Sequence, residues 1–263
     1  MFTAALIDDF SVEITGRDAT ELEAVALPAG TRVNVTFLGH EDAATRLATA
    51  RAIATRGLIA VPHLSARRLS SRTELASFLA ALPSPADVFV VGGDPATPHG
   101  PFGDALSVIE SGLLEEYGVE RVSIAGYPEG HPGLPEPVLW SSLEAKLAAL
   151  RARGLEGEII TQFGFDADPV LDWIAALRSH GIEVPVRVGV PGPAGAGRLL
   201  RYATRFGVRT LAANGLPPAT PDGFLDALAT DYHPADHGLV KLHFYPFGGL
   251  RATVDWIGAT LLR

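Results

Sequence analysis

Short apolar, β-branched runs alternate along this chain with longer segments rich in Ala, Leu and Arg, and the alternation repeats eight times. The runs at 10–15, 32–38, 58–63, 87–93, 120–126, 158–163, 184–190 and 240–245 predict strands. Several are apolar almost throughout, as parallel strands covered on both faces must be. The segments at 41–56, 72–81, 102–117, 137–153, 169–180, 196–206 and 249–262 predict helices, with a short extra helix near 223–230. Asp42, Ser71, Asp168 and Asp222 stand near helix starts, where a side-chain oxygen can cap free N–H groups. Gly57, Gly118, Gly154, Gly181 and Gly207 follow helix ends, where a left-handed residue stops the helix.

Strand–helix alternation calls for a parallel sheet, and eight repeats call for its closure, so residues 1–263 predict a single (β/α)8 barrel of the TIM type, an α/β fold. An open doubly wound sheet is the rival, but its glycine fingerprint after the first strand is absent. Gly195 and Gly197 form only a G-x-G in a Pro/Gly-rich loop.

Composition narrows the function. Apolar residues at 47% and charged residues at 19% describe a globular chain, and a formal charge of −9 without a Lys/Arg block disfavours nucleic-acid and anionic-membrane partners. The absence of cysteine removes disulfides, thiolate catalysis and Cys-ligated metals. Residues 1–10 lack the basic start of a signal peptide, and no apolar run is long enough to span a bilayer, so a cytoplasmic location is expected.

A barrel binds ligands at the C-terminal ends of its strands, and the unusual residues fall there. Glu13 interrupts the first strand; it is either a functional carboxylate or a rim residue facing water. Thr36 and His63 close the second and third strands, and Gly92-Gly93-Asp94-Pro95 ends the fourth. Tyr127-Pro128-Glu129-Gly130-His131-Pro132 ends the fifth, with a backbone stiffened by two prolines that pre-aims its side chains. Thr161-Gln162-Phe163 ends the sixth, where Gln162 can both donate and accept toward an amide-bearing heterocycle, and His243-Phe244-Tyr245 ends the eighth. His63, His131 and His243 lack the Lys or Asp that accompanies barrel metal centres, and no metal is expected.

These residues form an ordered pattern. The run Ile124-Ala125-Gly126-Tyr127-Pro128-Glu129-Gly130-His131-Pro132 resembles the AYPExHPE signature of methylenetetrahydrofolate reductases. Leu143-Glu144-Ala145-Lys146, then Ile160-Thr161-Gln162-Phe163, resembles that family's LxxK and ITQxFFD stretches. Pro62-His63-Leu64-Ser65, Gly93-Asp94, Val12-Glu13 and His243-Phe244-Tyr245 are similar to further family motifs in the same order. The resemblance implies reduction of 5,10-methylenetetrahydrofolate to 5-methyltetrahydrofolate by NADH or NADPH through bound FAD, within one-carbon metabolism and methionine biosynthesis.

On that resemblance Glu13 is the acid, with a raised pKa, that helps open the folate ring, and Asp94 steadies the pterin or its iminium. Gln162 and Phe163 contact the substrate, while Thr36, His63, Gly93, Tyr127, His131 and Lys146 hold the flavin and its phosphates. The chain departs from the family at Gly92, where an arginine is usual, at Ile14-Thr15-Gly16, at Leu139, and in about five extra residues between Lys146 and Gln162. A flavin-free or divergent folate enzyme, or a non-catalytic partner of a true reductase, are the alternatives. The sequence leaves open NADH against NADPH and the oligomeric state, a homo-oligomer included.

Overall fold

The computed structural model describes residues 6, 9–39, 41–83, 86–210 and 217–261. Its elements run β1 (Ser11–Ile14), α1 (Ala19–Glu23), β2 (Arg32–Val35), α2 (Ala43–Thr55), β3 (Ile59–Ser65), α3 (Arg72–Ala80), β4 (Ala86–Val91), α4 (Ala105–Ile109) and α5 (Leu113–Glu116). They continue β5 (Val119–Gly126), α6 (Glu136–Ala152), β6 (Glu156–Phe163), α7 (Asp168–Ser179), β7 (Val186–Pro191), α8 (Ala196–Phe206), α9 (Asp222–Asp231), α10 (Pro234–His237), β8 (Val240–Tyr245) and α11 (Leu250–Leu261). The strands close a parallel barrel in chain order, with β8 beside β1. Among the described residues no helix is long and apolar enough to cross a membrane.

Local chemistry sets most boundaries. Asp42 caps α2 by accepting from the Thr45 N–H at 2.7 Å, and Ser71 caps α3 by accepting from Glu74 N–H at 3.0 Å. Asp168 and Asp222, expected near caps, are instead the first helical residues, where their charge still meets the positive end of the helix dipole. The helix expected over 102–117 is two short helices, because Gly112 adopts φ +80 and breaks the path between them.

Side chains alternate across each strand. Val12, Ile14, Val33, Val35, Val88 and Val90 join the large core between sheet and helices, whereas Val61, Phe89 and Ile160 form a separate cluster inside the barrel. Ile59, Val91 and Ala125 pack against that cluster, and charged side chains fill the layer below. At the N-terminal floor, Arg187 donates to Glu158 at 2.8 Å and to Asp9 at 3.0 Å. Arg32 and Arg121 share Asp87, at 3.0 and 3.3 Å, and Arg121 also reaches Glu156 at 2.7 Å. This floor is a closed electrostatic layer that leaves the opposite mouth for ligand chemistry.

Candidate active site at the barrel mouth

Glu13 lies one inward position above Ser11 on β1. Its Oε2 stands 3.4 Å from Nε2 of His63 at β3 and 3.7 Å from Nε2 of His243 on β8. The carboxylate keeps 19% of its side chain exposed, while both imidazoles are buried. His243 is oriented from below by a 2.8 Å hydrogen bond between its Nδ1 and the Ser11 hydroxyl. His63 packs edge-on against Phe89 at 4.6 Å.

Electrostatics fix the charge states. Burial works to raise the Glu13 pKa, but the polar neighbours His243, His63 and Thr36 outweigh it, and the net pKa is lowered. Burial also pushes His63 down to about 4, against the attraction of Glu13. At neutral pH the pair is therefore a carboxylate beside a neutral imidazole. The raised pKa expected of Glu13 is corrected: the open site holds the carboxylate ionised because imidazole and hydroxyl donors surround it.

Gln162 enters the same mouth from β6 through a local irregularity. The β6–β7 register shifts between Ile160 and Phe163, where the Gly189 N–H donates to the Thr161 hydroxyl at 2.8 Å. A side chain at Gly189 would collide with the Gln162 carbonyl at 2.5 Å, so glycine permits this approach. Both amide atoms of Gln162 are buried without a hydrogen-bond partner. A buried, unpaired amide is costly, and a ligand amide edge is the natural partner for it. Tyr245 completes the wall: its hydroxyl donates to Thr161 O at 2.9 Å and its ring meets His243 edge-on at 4.7 Å. Its pKa is well raised by burial, then by Glu13 and Tyr127.

The other predicted site residues are dispersed. Thr36 joins the Glu13 group. Gly93 holds φ +93, and a Cβ there would lie 2.2 Å from Ser65 Oγ, so the residue must be glycine. Asp94 points to solvent, 78% exposed, and pairs with Arg68 at 3.4 Å. Tyr127 is half-buried against exposed His131, ring centroids 5.1 Å apart. Phe163 is buried with Phe165 and Leu199 beneath α8, its ring edge-on to that of Tyr245 at 6.0 Å. Lys146 is buried ten residues into α6, about 15 Å along the helix from its mouth end, with its pKa lowered to about 8 by burial and supported by Asp104. The structure does not bring Lys146 to the mouth, whereas Phe163 reaches its wall through Tyr245.

Three features escaped the sequence reading. Arg67, just past β3, donates to Gly103 O at 2.8 Å and runs along the Gly92 loop, so a guanidinium stands where Gly92 supplies none. Arg46, an arginine at a core-facing position of α2, lies over Phe37 at 3.6 Å and donates to the His63 carbonyl at 3.2 Å. Its spacing with Ala50 and Ile53 on one helical face was the available signal. Beside β5 a cavity of about 360 Å³ is walled by Tyr127, Glu129, Leu139, Trp140, Trp173 and Arg209. Among the described residues no group of three or more His, Asp or Glu side chains is arranged to hold a metal.

A family model described as methylenetetrahydrofolate reductase matches residues 17–209. Methylenetetrahydrofolate reductase 2 of Saccharomyces cerevisiae is 32% identical over 87 residues, which are 33% of this chain and 14% of that relative. Among solved structures, Xanthomonas albilineans dihydropteroate synthase with 4-aminobenzoic acid has a TM-score of 0.49 at 16% identity, over 96% of this chain and 91% of that one. The dihydropteroate synthase of Thermus thermophilus has a TM-score of 0.49 at 14% identity, over 97% of this chain and 93% of that one. The family model alone covers well over half of the sequence, and the chain belongs to the methylenetetrahydrofolate reductase family.

Proposed function

We propose that this chain is a cytoplasmic oxidoreductase that reduces 5,10-methylenetetrahydrofolate to 5-methyltetrahydrofolate with a reduced nicotinamide coenzyme. The observation that carries the reading is the Glu13 carboxylate, held ionised yet partly open between His63 and His243 at the barrel mouth. Family membership supports the reaction class.

Glu13 meets the two needs of ring opening. Its negative charge stabilises the cationic iminium that forms when the methylene bridge leaves the folate N10, and its proton, once acquired, neutralises that nitrogen. His63 and His243 flank the carboxylate, and Ser11 holds His243. The unpaired amide of Gln162 is positioned to bind the pterin edge. Asp94 serves the substrate only after leaving Arg68, and its exposure makes that exchange inexpensive.

The residues also fit FAD. A Cβ at Gly92 would enter open space, so the end of β4 offers a flat cradle, and Tyr127 with His131 stacked edge-on to it stands at the end of β5. Arg67 and Arg68, not Lys146, are the cations near that rim able to meet a diphosphate. When bound, FAD supplies a two-electron carrier between nicotinamide and folate.

The test is the visible spectrum of protein incubated with FAD and desalted, then titrated anaerobically with NADH and afterwards with methylenetetrahydrofolate. Flavin that bleaches and then recovers supports the reading. Colourless protein that still consumes NADH with the folate removes FAD from it, and absence of any folate-dependent NADH oxidation refutes it.

A further inference from the structure

In a barrel of this kind the helices form an outer ring around the strands. Helix α8 lies across the mouth instead. At its start Arg198 donates to the Phe247 carbonyl, just beyond β8, at 2.8 Å. At its end Phe206 meets Phe163 at the top of β6, ring centroids 6.2 Å apart. Gly207 packs so closely on Pro132 of the β5 loop that a Cβ would lie 2.7 Å from it. The helix therefore bridges the rim from β8 to β5, over the end of β6.

The faces of α8 are sharply divided. Arg198, Arg201 and Arg205 fall within about 60° of arc, Tyr202 and Phe206 occupy the next strip, and Leu199 and Ala203 the buried one. The helix holds no acidic residue, and all three arginines are exposed. Arg201 reaches only Gly197 O of its own helix at 3.1 Å, and Arg205 lies over the Phe206 ring at 5.5 Å. Among the described residues none of the three pairs with a carboxylate, in a chain whose formal charge is −9; the arginine that does so here is Arg209, on Glu129. The aromatic strip joins this row to the Glu13 centre. Tyr245, edge-on to His243, stacks with Phe247 at 5.8 Å and 11°. Phe247 stacks with Tyr202 at 4.2 Å and 21°, and Tyr202 with Phe206 at 6.4 Å and 5°. Phe206, 45% exposed, ends the series at the surface.

We infer that the arginine row of α8 binds the γ-linked glutamates of a folate tail, so that the enzyme takes polyglutamylated methylenetetrahydrofolate in preference to the monoglutamate. The inference rests on the reductase reading, which sets the folate N10 at Glu13. From N10 the substrate continues into a p-aminobenzoyl ring and then a chain that gains one carboxylate with each added glutamate. The ring series offers flat faces along the first part of that path. Beyond it the arginines, about 4.5 and about 6 Å apart along the helix, offer guanidinium forks to the carboxylates. One exposed ion pair contributes little, so a row of three responds to a tail that engages several at once.

Calorimetric titration with 5-methyltetrahydrofolate and with its pentaglutamate reads binding without turnover. At about 20 mM salt the pentaglutamate is expected to bind at least about fivefold more tightly, and the gain should fall below about twofold at about 500 mM salt. The double variant Arg201→Gln/Arg205→Gln should lose the gain, and both sites are exposed, which spares the core. Arg151→Gln, which removes an exposed arginine on α6, should keep it. The inference is overturned by equal affinity for the two folates at low salt, or by a gain that survives the double substitution. Displacement of the pentaglutamate by an equal concentration of α-linked pentaglutamate overturns it too, since the row would then be a general anion surface. Monoglutamate that neither binds nor is formed from its methylene precursor refutes the reductase reading, whereas monoglutamate that binds with no gain from added glutamates refutes the tail site alone.

Discussion

Acidification from about pH 7.5 to about pH 5 challenges the burial of His63 directly. The imidazole is packed against Phe89, faces Glu13 and His243, and has Arg46 on its backbone side. Burial lowers its pKa from 6.5 to about 4. The unfolded chain therefore takes up a proton on this residue before the folded one does, and stability contributed above 6.5 is lost progressively as pH falls toward 4. For those two values the linkage relation gives a loss of about 2 kcal/mol by about pH 5. Glu13 acts in the same direction but lower, because its lowered pKa matters only as pH falls below the ordinary value of 4.5. The assay is urea unfolding at half-unit pH steps for the parent and for His63→Gln, a variant that cannot titrate there. The difference in stability between the two should change by about 2 kcal/mol across the window, with the parent losing more. Parallel pH profiles would refute the reasoning, since they would mean that His63 is as easily protonated folded as unfolded.

Other perturbations read other parts of the molecule. Glu13→Gln should lower folate reduction by about 10²–10⁴-fold while leaving NADH-to-menadione electron transfer intact; equal loss of both in steady-state assays sinks the acid role. Since Glu13 is ionised in the open site, kcat/KM for the folate should rise as pH falls from about 8 to about 6, and a flat profile would exclude Glu13 as the proton source. Arg187→Met leaves Glu158 short of its nearest buried partner and should cost about 3–5 kcal/mol in urea unfolding; an unchanged midpoint would show that the floor network is dispensable. Gly93→Ala must place a side chain at φ +93 and against Ser65, so a loss of about 1–3 kcal/mol is expected, and a variant as stable as the parent contradicts the strain.

The architecture was legible because burial on both faces leaves a period that no single residue can disguise. The strands that expectation placed at 120–126, 158–163 and 240–245 end where β5, β6 and β8 end. The site was legible in part, because a strand end fixes a side chain's height in the barrel but not its partner. His63, Thr36 and Glu13 converge since each points inward from its strand. Phe163 shares a motif with Gln162 but packs with side chains of α8 and against Tyr245, contacts that spacing alone does not reveal. Motif spacing placed Lys146 on α6 without saying how far down the helix it lay, and its surroundings are Asp104 and buried side chains. Asp94 stands where expected, yet Arg68, distant in sequence, decides where its carboxylate points.

The floor and the mouth are two ends of one register. Ser11 pairs with Arg32 on one side and with His243 on the other, so the strand that sets a floor arginine beside β1 also sets the imidazole that faces Glu13. A shift of one residue would turn Glu13 outward into the apolar layer and bring Val12 or Ile14 into the mouth. Arg32, Arg121 and Arg187, fixed through Asp87, Glu156 and Glu158, make such a shift costly, because each misplacement strands a charge away from its partner. The charged floor therefore contributes to the chemistry it never touches, by holding the strands in the one alignment that places a carboxylate between two histidines.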